Sequence, residues 1–153
     1  MIDWINNKYG TNLTDNDLTE IKNFTLLWNI FDNIIFDTAF SIGLLDQEIT
    51  NRNLQFAPFN DVFIYFQNRY TENGQTSFRF NHLNFRQNDR EALVRDVLTN
   101  VNLGDHDRIL AIGIIVYRFR NNLFHGHKNF MEIGEQTENF RNANLFLRIF
   151  LDS

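Results

Sequence analysis

The feature that most constrains this chain is a three-and-four spacing of large apolar residues that recurs along nearly its whole length. Leu18, Ile21, Phe24, Trp28, Phe31, Ile35 and Ala39 follow that spacing without a break, which paints one apolar stripe on a long helix. Thr14, with Asp17 three residues on, forms a capping box that starts this helix, and Gly43 is placed to end it. After a polar stretch through Asn51 and Asn53, Pro58 stands just ahead of Phe59, Val62, Phe63, Phe66 and Tyr70. This suits a proline in the first turn of a second helix. Asn88 and Glu91 repeat the capping pattern before Leu93, Val94, Val97, Leu98 and Val101, a third helix ending near Gly104. Asp105 caps a fourth, over 106–125, whose first half is apolar almost all round, as expected of a central helix. A last helix runs from about Thr137 to Leu151 with Phe140, Ala143, Leu147 and Phe150 on one face. Only residues 72–86 break the pattern: Asn73-Gly74 is a turn signal, and the aromatics after it allow a short hairpin-like excursion or an ordered loop.

The expected fold is therefore all-α: an antiparallel bundle of four main helices plus accessory short helices, in one domain covering 1–153. Sheet-based enzyme folds are demoted, and with them phosphate-binding glycine loops, because no glycine cluster follows a strand. Seventeen Phe and 23 Asn fill about a quarter of the chain; the Phe suit a core of large rings and the Asn suit caps and turns. The absence of cysteine excludes a disulfide framework, a zinc ribbon and a thiol nucleophile. A net charge of −5 argues against a domain that coats nucleic acid non-specifically, so a phosphate partner must be met at a local site. No apolar run approaches the roughly 18 residues of a membrane span, and Met1-Ile2-Asp3-Trp4 lacks the basic start of a secretory signal. No membrane association is expected, and the expected location is cytoplasmic.

The stretch with chemical promise is Arg118-Phe119-Arg120-Asn121-Asn122-Leu123-Phe124-His125-Gly126-His127-Lys128. It carries three positive charges, two histidines and no acid, at the end of the most apolar helix. On a helical projection Arg120 falls at roughly 20°, beside the stripe of Ile109, Ile112, Val116, Phe119 and Leu123, and so at the edge of the core. Asn121 and His125 are four apart and share a face. A guanidinium to hold a phosphate, an imidazole to move protons and an amide beside them are the parts needed to cleave RNA without a metal. The plainer alternative is an Arg120 paired with a carboxylate of another helix, its basic neighbours merely suiting the negative end of the helix dipole.

The run Arg120-Asn121-x-x-x-His125, late in an otherwise apolar helix of an all-helical domain, resembles the R-x4-6-H signature of the HEPN superfamily (higher eukaryotes and prokaryotes nucleotide-binding). Asn after the Arg and Gly after the His are favoured forms of that pattern. Arg118 also satisfies the loose spacing but lacks the Asn behind it. The resemblance implies a four-helix bundle whose homodimer brings two motifs to one cleft. It also implies a metal-independent endoribonuclease of a toxin–antitoxin, phage-defence or RNA-processing system. In that role His125 is acid or base around the ribose 2′-hydroxyl, Arg120 steadies the charge growing on the phosphate, and Asn121 orients them. Arg118, Asn122, His127 and Lys128 are expected to contact RNA, an antitoxin protein is a possible partner, and no metal or other cofactor is called for. In one subgroup a tyrosine two positions after the histidine is adenylylated; this chain has His127 there. The superfamily also contains non-catalytic modules that bind nucleotides or proteins, which is the alternative function.

Other candidates are weaker. Asp105-His106-Asp107 looks like a metal doublet but lacks companions at ligand spacing, and His82 stands in the uncertain segment without a spaced partner. Trp28 and the Phe stripe read as core.

Overall fold

The computed structural model describes residues 1–100, 102–124 and 135–153. The fold is all-α. Its helices are α1 (Ile2–Tyr9), α2 (Asp15–Phe36), α3 (Ile42–Asn51), α4 (Asn60–Tyr70), α5 (Glu91–Thr99), α6 (Asp105–Phe124) and α7 (Thr137–Asp152), and the strands β1 (Thr71–Glu72) and β2 (Gln75–Thr76) form a minimal hairpin between α4 and α5. Among the described residues no helix is long and apolar enough to cross a membrane.

The start of α2 is the capping box read from the sequence: the Thr14 hydroxyl accepts from the Asp17 amide, and the Asp17 carboxylate accepts from the Thr14 amide at 2.9 Å. The other Asp17 oxygen accepts from the Thr137 hydroxyl, so one carboxylate joins the starts of α2 and α7. Burial alone would raise the Asp17 pKa, but the hydrogen bonds from Thr137 and Thr14 outweigh it and hold the carboxyl below its ordinary value.

The far end of α2 departs from expectation. The helix stops at Phe36, not near Gly43, because Asp37 and Thr38 both take left-handed backbone conformations (φ 49° and 64°). Their amides return to Asn33 and Asp32 carbonyls at 3.2 and 3.0 Å, satisfying the last turn. The Ser41 hydroxyl then caps a helix not expected from the sequence, α3, within the polar stretch before Pro58, with Gly43 inside its first turn. Ile42, Leu45 and Ile49 of α3 are buried at spacings of three and four, a periodicity too short to stand out beside the long stripe of α2.

Two further boundaries are corrected. Asn88 does not cap α5: Arg90 precedes the helix in a left-handed conformation (φ 55°) with no side-chain cap, and the neighbouring carboxylate, Asp89, is turned inward. The helix ends at Thr99, short of Gly104, and Val101 lies outside the described residues. Asp105 is the first residue of α6 instead of its cap, pairing with Arg108 at 3.3 Å. Pro58 sits in a short 3-10 turn, Ala57–Phe59, that leads into α4. The excursion at 72–86 is a hairpin turned at Asn73-Gly74, both at positive φ, and then a 3-10 segment, Phe78–Leu83.

One apolar cluster holds these elements together, drawing on every helix from α2 to α7. Its bulk is aromatic: Phe24, Phe31, Phe59, Phe66, Phe80, Phe119, Phe140, Phe146 and Phe150 are all fully buried. α2 packs most extensively on α7, while α6 is covered by α3, α4, α5 and α7. Every residue from Ile109 to Val116 is buried, which is why that half of α6 carries no polar side chain. At Gly113 an added Cβ would lie 2.5 Å from Leu45 Cδ2 and 3.3 Å from Phe146 Cζ, so any other residue there would force the Leu45 side chain to shift.

Candidate functional site

The polar second half of α6 is also largely buried, and its side chains divide between two sides of the helix. Arg118 and Asn122, four residues apart, face the end of the 3-10 segment Phe78–Leu83 and the stretch from there to α5. Arg118 is fully buried: Nη1 donates to Asp89 Oδ2 at 2.7 Å, Nε to the Leu83 carbonyl at 3.0 Å, and Nη2 to the Asn84 carbonyl at 2.6 Å. Asn122 extends the same network, its amide donating to the His82 and Leu83 carbonyls at 3.2 and 3.1 Å. The Asp89 oxygen also accepts from the Arg86 amide at 2.7 Å. Burial pulls the Arg118 pKa below the ordinary arginine value; Asp89 opposes that shift and the nearby Arg86 cation reinforces it. Arg118 and Asn122, expected to contact substrate, are thus committed to holding residues 82–89 against α6. A buried guanidinium with each nitrogen bonded to the protein presents nothing to a ligand.

Arg120 and Asn121 lie toward α2. Arg120 is partly exposed and Asn121 is 2% exposed, with Arg120 Nη1 donating to Asn121 Oδ1 at 3.0 Å. Asn121 Nδ2 is buried and finds no acceptor among the described residues. The Arg120 side chain lines a groove of about 570 Å3 whose other wall is α2, with Lys22, Thr25, Leu26, Asn29 and Asp32. Trp28 closes the inner side, its ring 6.0 Å from Tyr117 of α6 and 5.0 Å from Phe40. The core assignment of Trp28 agrees with its burial. Asp32 is engaged locally, Oδ1 accepting from the Phe40 amide at 3.1 Å.

Of the expected site residues, the described structure therefore brings Arg120 and Asn121 together and sets Arg118 and Asn122 apart from them. His125, His127 and Lys128 lie outside the described residues. The α2 wall was missed by sequence reasoning, although a signal existed: Lys22, Thr25, Asn29 and Asp32 form a polar stripe at helical spacing directly beside the apolar one.

The remaining histidines have local partners. His106 of the Asp-His-Asp doublet meets Asp46 of α3 at 2.7 Å, and the other oxygen of Asp46 accepts from Arg90 at 2.6 Å. His82 is exposed, its ring edge-on to Phe78 at 5.8 Å. Among the described residues no group of three or more His, Asp or Glu side chains could hold a metal ion. Comparison with protein-family models, curated proteins and solved structures finds no match for this chain.

Proposed function

We propose that this chain is an HEPN-type, metal-independent endoribonuclease that acts as a homodimer, in a toxin–antitoxin or phage-defence setting. The observation that carries the reading is the pairing of Arg120 with Asn121 at the wall of an open groove, with Lys22 across from it. Asn121 holds one edge of the Arg120 guanidinium, which restricts a long side chain before a ligand arrives and lowers the entropy cost of binding. A guanidinium held in this way suits two oxygens of a phosphodiester.

In the proposed reaction the ribose 2′-oxygen attacks phosphorus and the bond to the 5′-oxygen breaks. The products are a 2′,3′-cyclic phosphate and a 5′-hydroxyl. His125, next in sequence after the last described residue of α6, takes or returns the proton, and Arg120 balances the growing negative charge. One motif supplies a single histidine, whereas attack and departure each need a proton-transfer group, so a second copy completes the site. A surface suited to that copy adjoins the groove: Leu26, Ile30 and Ile34 on α2 are 61%, 38% and 69% exposed at successive four-residue steps. An apolar stripe of that kind is unusual on a helix with no partner. An antitoxin protein is the other partner this reading allows.

The test is cleavage of single-stranded RNA in EDTA, with analysis of product ends. Wild type is expected to cut, while Arg120→Ala and His125→Ala abolish cutting with the fold retained. Arg120→Lys rescues poorly, because an ammonium lacks the planar fork. Cutting only with added metal, or full activity in His125→Ala, overturns the mechanism. A strictly monomeric wild type at micromolar concentration, with or without RNA, overturns the shared site.

One observation favours the alternative, a non-catalytic module. Asp32 lines the same groove, and the apolar Ile21 and Leu26 make up much of its wall, features that suit a compact ligand or a protein better than a polyanion. Wild type that never cleaves, but binds a nucleotide or partner through Arg120, would establish that reading.

A further inference from the structure

Four of the eleven arginines of this acidic chain, Arg79, Arg86, Arg90 and Arg95, fall between the hairpin and the end of α5. Three of them, Arg86, Arg90 and Arg95, line one open pocket of about 540 Å3 together with Phe85 and Glu91. This pocket is separate from the Arg120 groove and shares no lining residue with it.

Its charge is balanced only in part, since two of the three arginines have acidic partners and Arg86 has none among the described residues. Arg90 shares Asp46 with His106, and Arg95 pairs with Glu91 at 2.6 Å while donating to the Thr76 hydroxyl at 2.8 Å. Arg86 is exposed and forms no ion pair with a described residue. Asp89 lies close in sequence but serves the buried Arg118, and its contact with Arg86 is to the backbone amide only. Arg86 instead stands near enough to Arg118 for the two cations to repel. An exposed cation in that position has no partner in the interior it borders.

We propose that the Arg86–Arg90–Arg95 pocket binds a backbone phosphate of single-stranded RNA, as a contact point distinct from the Arg120 groove. The choice of RNA rests on the ribonuclease reading above; the anionic character of the ligand rests on the pocket. Guanidinium forks match phosphate oxygens, and Glu91, half exposed on the first turn of α5, is free to yield Arg95 to an incoming anion. Aromatic rings flank the cations: Phe85 lines the pocket, and the Arg95 guanidinium lies 4.9 Å from the centre of the Phe80 ring. Phe78, at the start of the same 3-10 segment, is 66% exposed and offers a face on which a base can stack. Arg118 fastens this whole segment to α6 two residues before Arg120, so both phosphate contacts ride on one scaffold.

The test uses the full chain and a fluorescein-labelled 2′-O-methyl RNA oligonucleotide, which cannot be cut by 2′-oxygen attack, read by anisotropy between about 50 and 200 mM salt. Arg86→Gln is expected to weaken binding roughly three- to tenfold and to lower the slope of log affinity against log salt by about 0.7, one phosphate contact on a single strand. Arg86→Glu should weaken it further. Arg86→Gln should leave the melting temperature unchanged, since the Arg86 side chain is exposed and forms no ion pair with a described residue. Wild-type affinity and salt slope in both variants, or no binding by wild type, overturns the proposal. Displacement of the oligonucleotide by polyglutamate as readily as by unlabelled RNA overturns it in favour of an acidic protein partner. If Arg86→Gln loses binding but wild type never cleaves natural RNA, the pocket stands and the ribonuclease reading falls. If wild type cleaves and Arg86→Gln leaves KM and binding unchanged, the pocket falls alone.

Discussion

Replacing Arg118 by alanine tests whether the second half of α6 is organised around a structural arginine. The side chain is fully buried and donates to Asp89, Leu83 and Asn84, so its loss leaves a carboxylate only 9% exposed without its cation and the Asn84 carbonyl without its side-chain donor, while the Leu83 carbonyl keeps the Asn122 amide. Breaking a buried pair from one side costs about 3–5 kcal/mol, because the surviving charge keeps its desolvation penalty. The separate hydrogen bonds are not added to this figure, since they belong to one network. Against a typical total stability of about 5–15 kcal/mol, that loss is large. It corresponds to a melting temperature lower by roughly 6–20 °C for a chain of this size. Arg118→Lys keeps the charge but cannot reach three acceptors, and should lose about 1.5–3 kcal/mol. Urea unfolding at neutral pH is the assay, with a double variant as the internal control. Asp89→Asn added to Arg118→Met should recover stability relative to Arg118→Met alone, because the stranded charge is gone while an oxygen still accepts from the Arg86 amide. A loss below about 1 kcal/mol in Arg118→Ala, or no recovery in the double variant, would refute the reasoning.

Gly113→Ala should destabilise by about 1–3 kcal/mol despite the better helix propensity of alanine, since the new methyl meets Leu45 at 2.5 Å in a filled core. A urea midpoint equal to or above wild type would show that Leu45 can move aside without cost. Asp46→Asn probes pH dependence. Burial raises the Asp46 pKa, but hydrogen bonds and charge from Arg90 and His106 win and hold it below the ordinary value of 3.8. A depressed folded pKa contributes stability that is present above the unfolded value and lost as pH falls through the folded one. The stability gap between wild type and Asp46→Asn should therefore be present above about pH 3.8 and shrink as pH falls below it. A gap that widens below about pH 3.8 would contradict the assignment.

The positions and types of the long helices were determined by the sequence alone, because an apolar stripe at helical spacing can be buried in only one way. The Thr14 capping box and the Asn73-Gly74 turn were legible for a related reason: each is a local hydrogen-bonding or backbone-dihedral solution confined to a few residues. The end of α2 at Phe36 was not, since Asp37 and Thr38 take the left-handed conformation that glycine ordinarily signals. Within the polar end of α6, spacing placed Arg120 at the edge of the core and its partial exposure agrees, but spacing could not assign Arg118. That side chain lies well away from the apolar stripe on a helical projection, and is buried only because residues 83–89 fold back over it and present a carboxylate and two carbonyls. Which of two arginines two residues apart is held inside and which meets a groove depends on what the distant segments place beside them. Periodicity measures the burial a helix prefers, whereas the partners of a buried charge come from elsewhere in the chain, and tertiary structure alone supplies them.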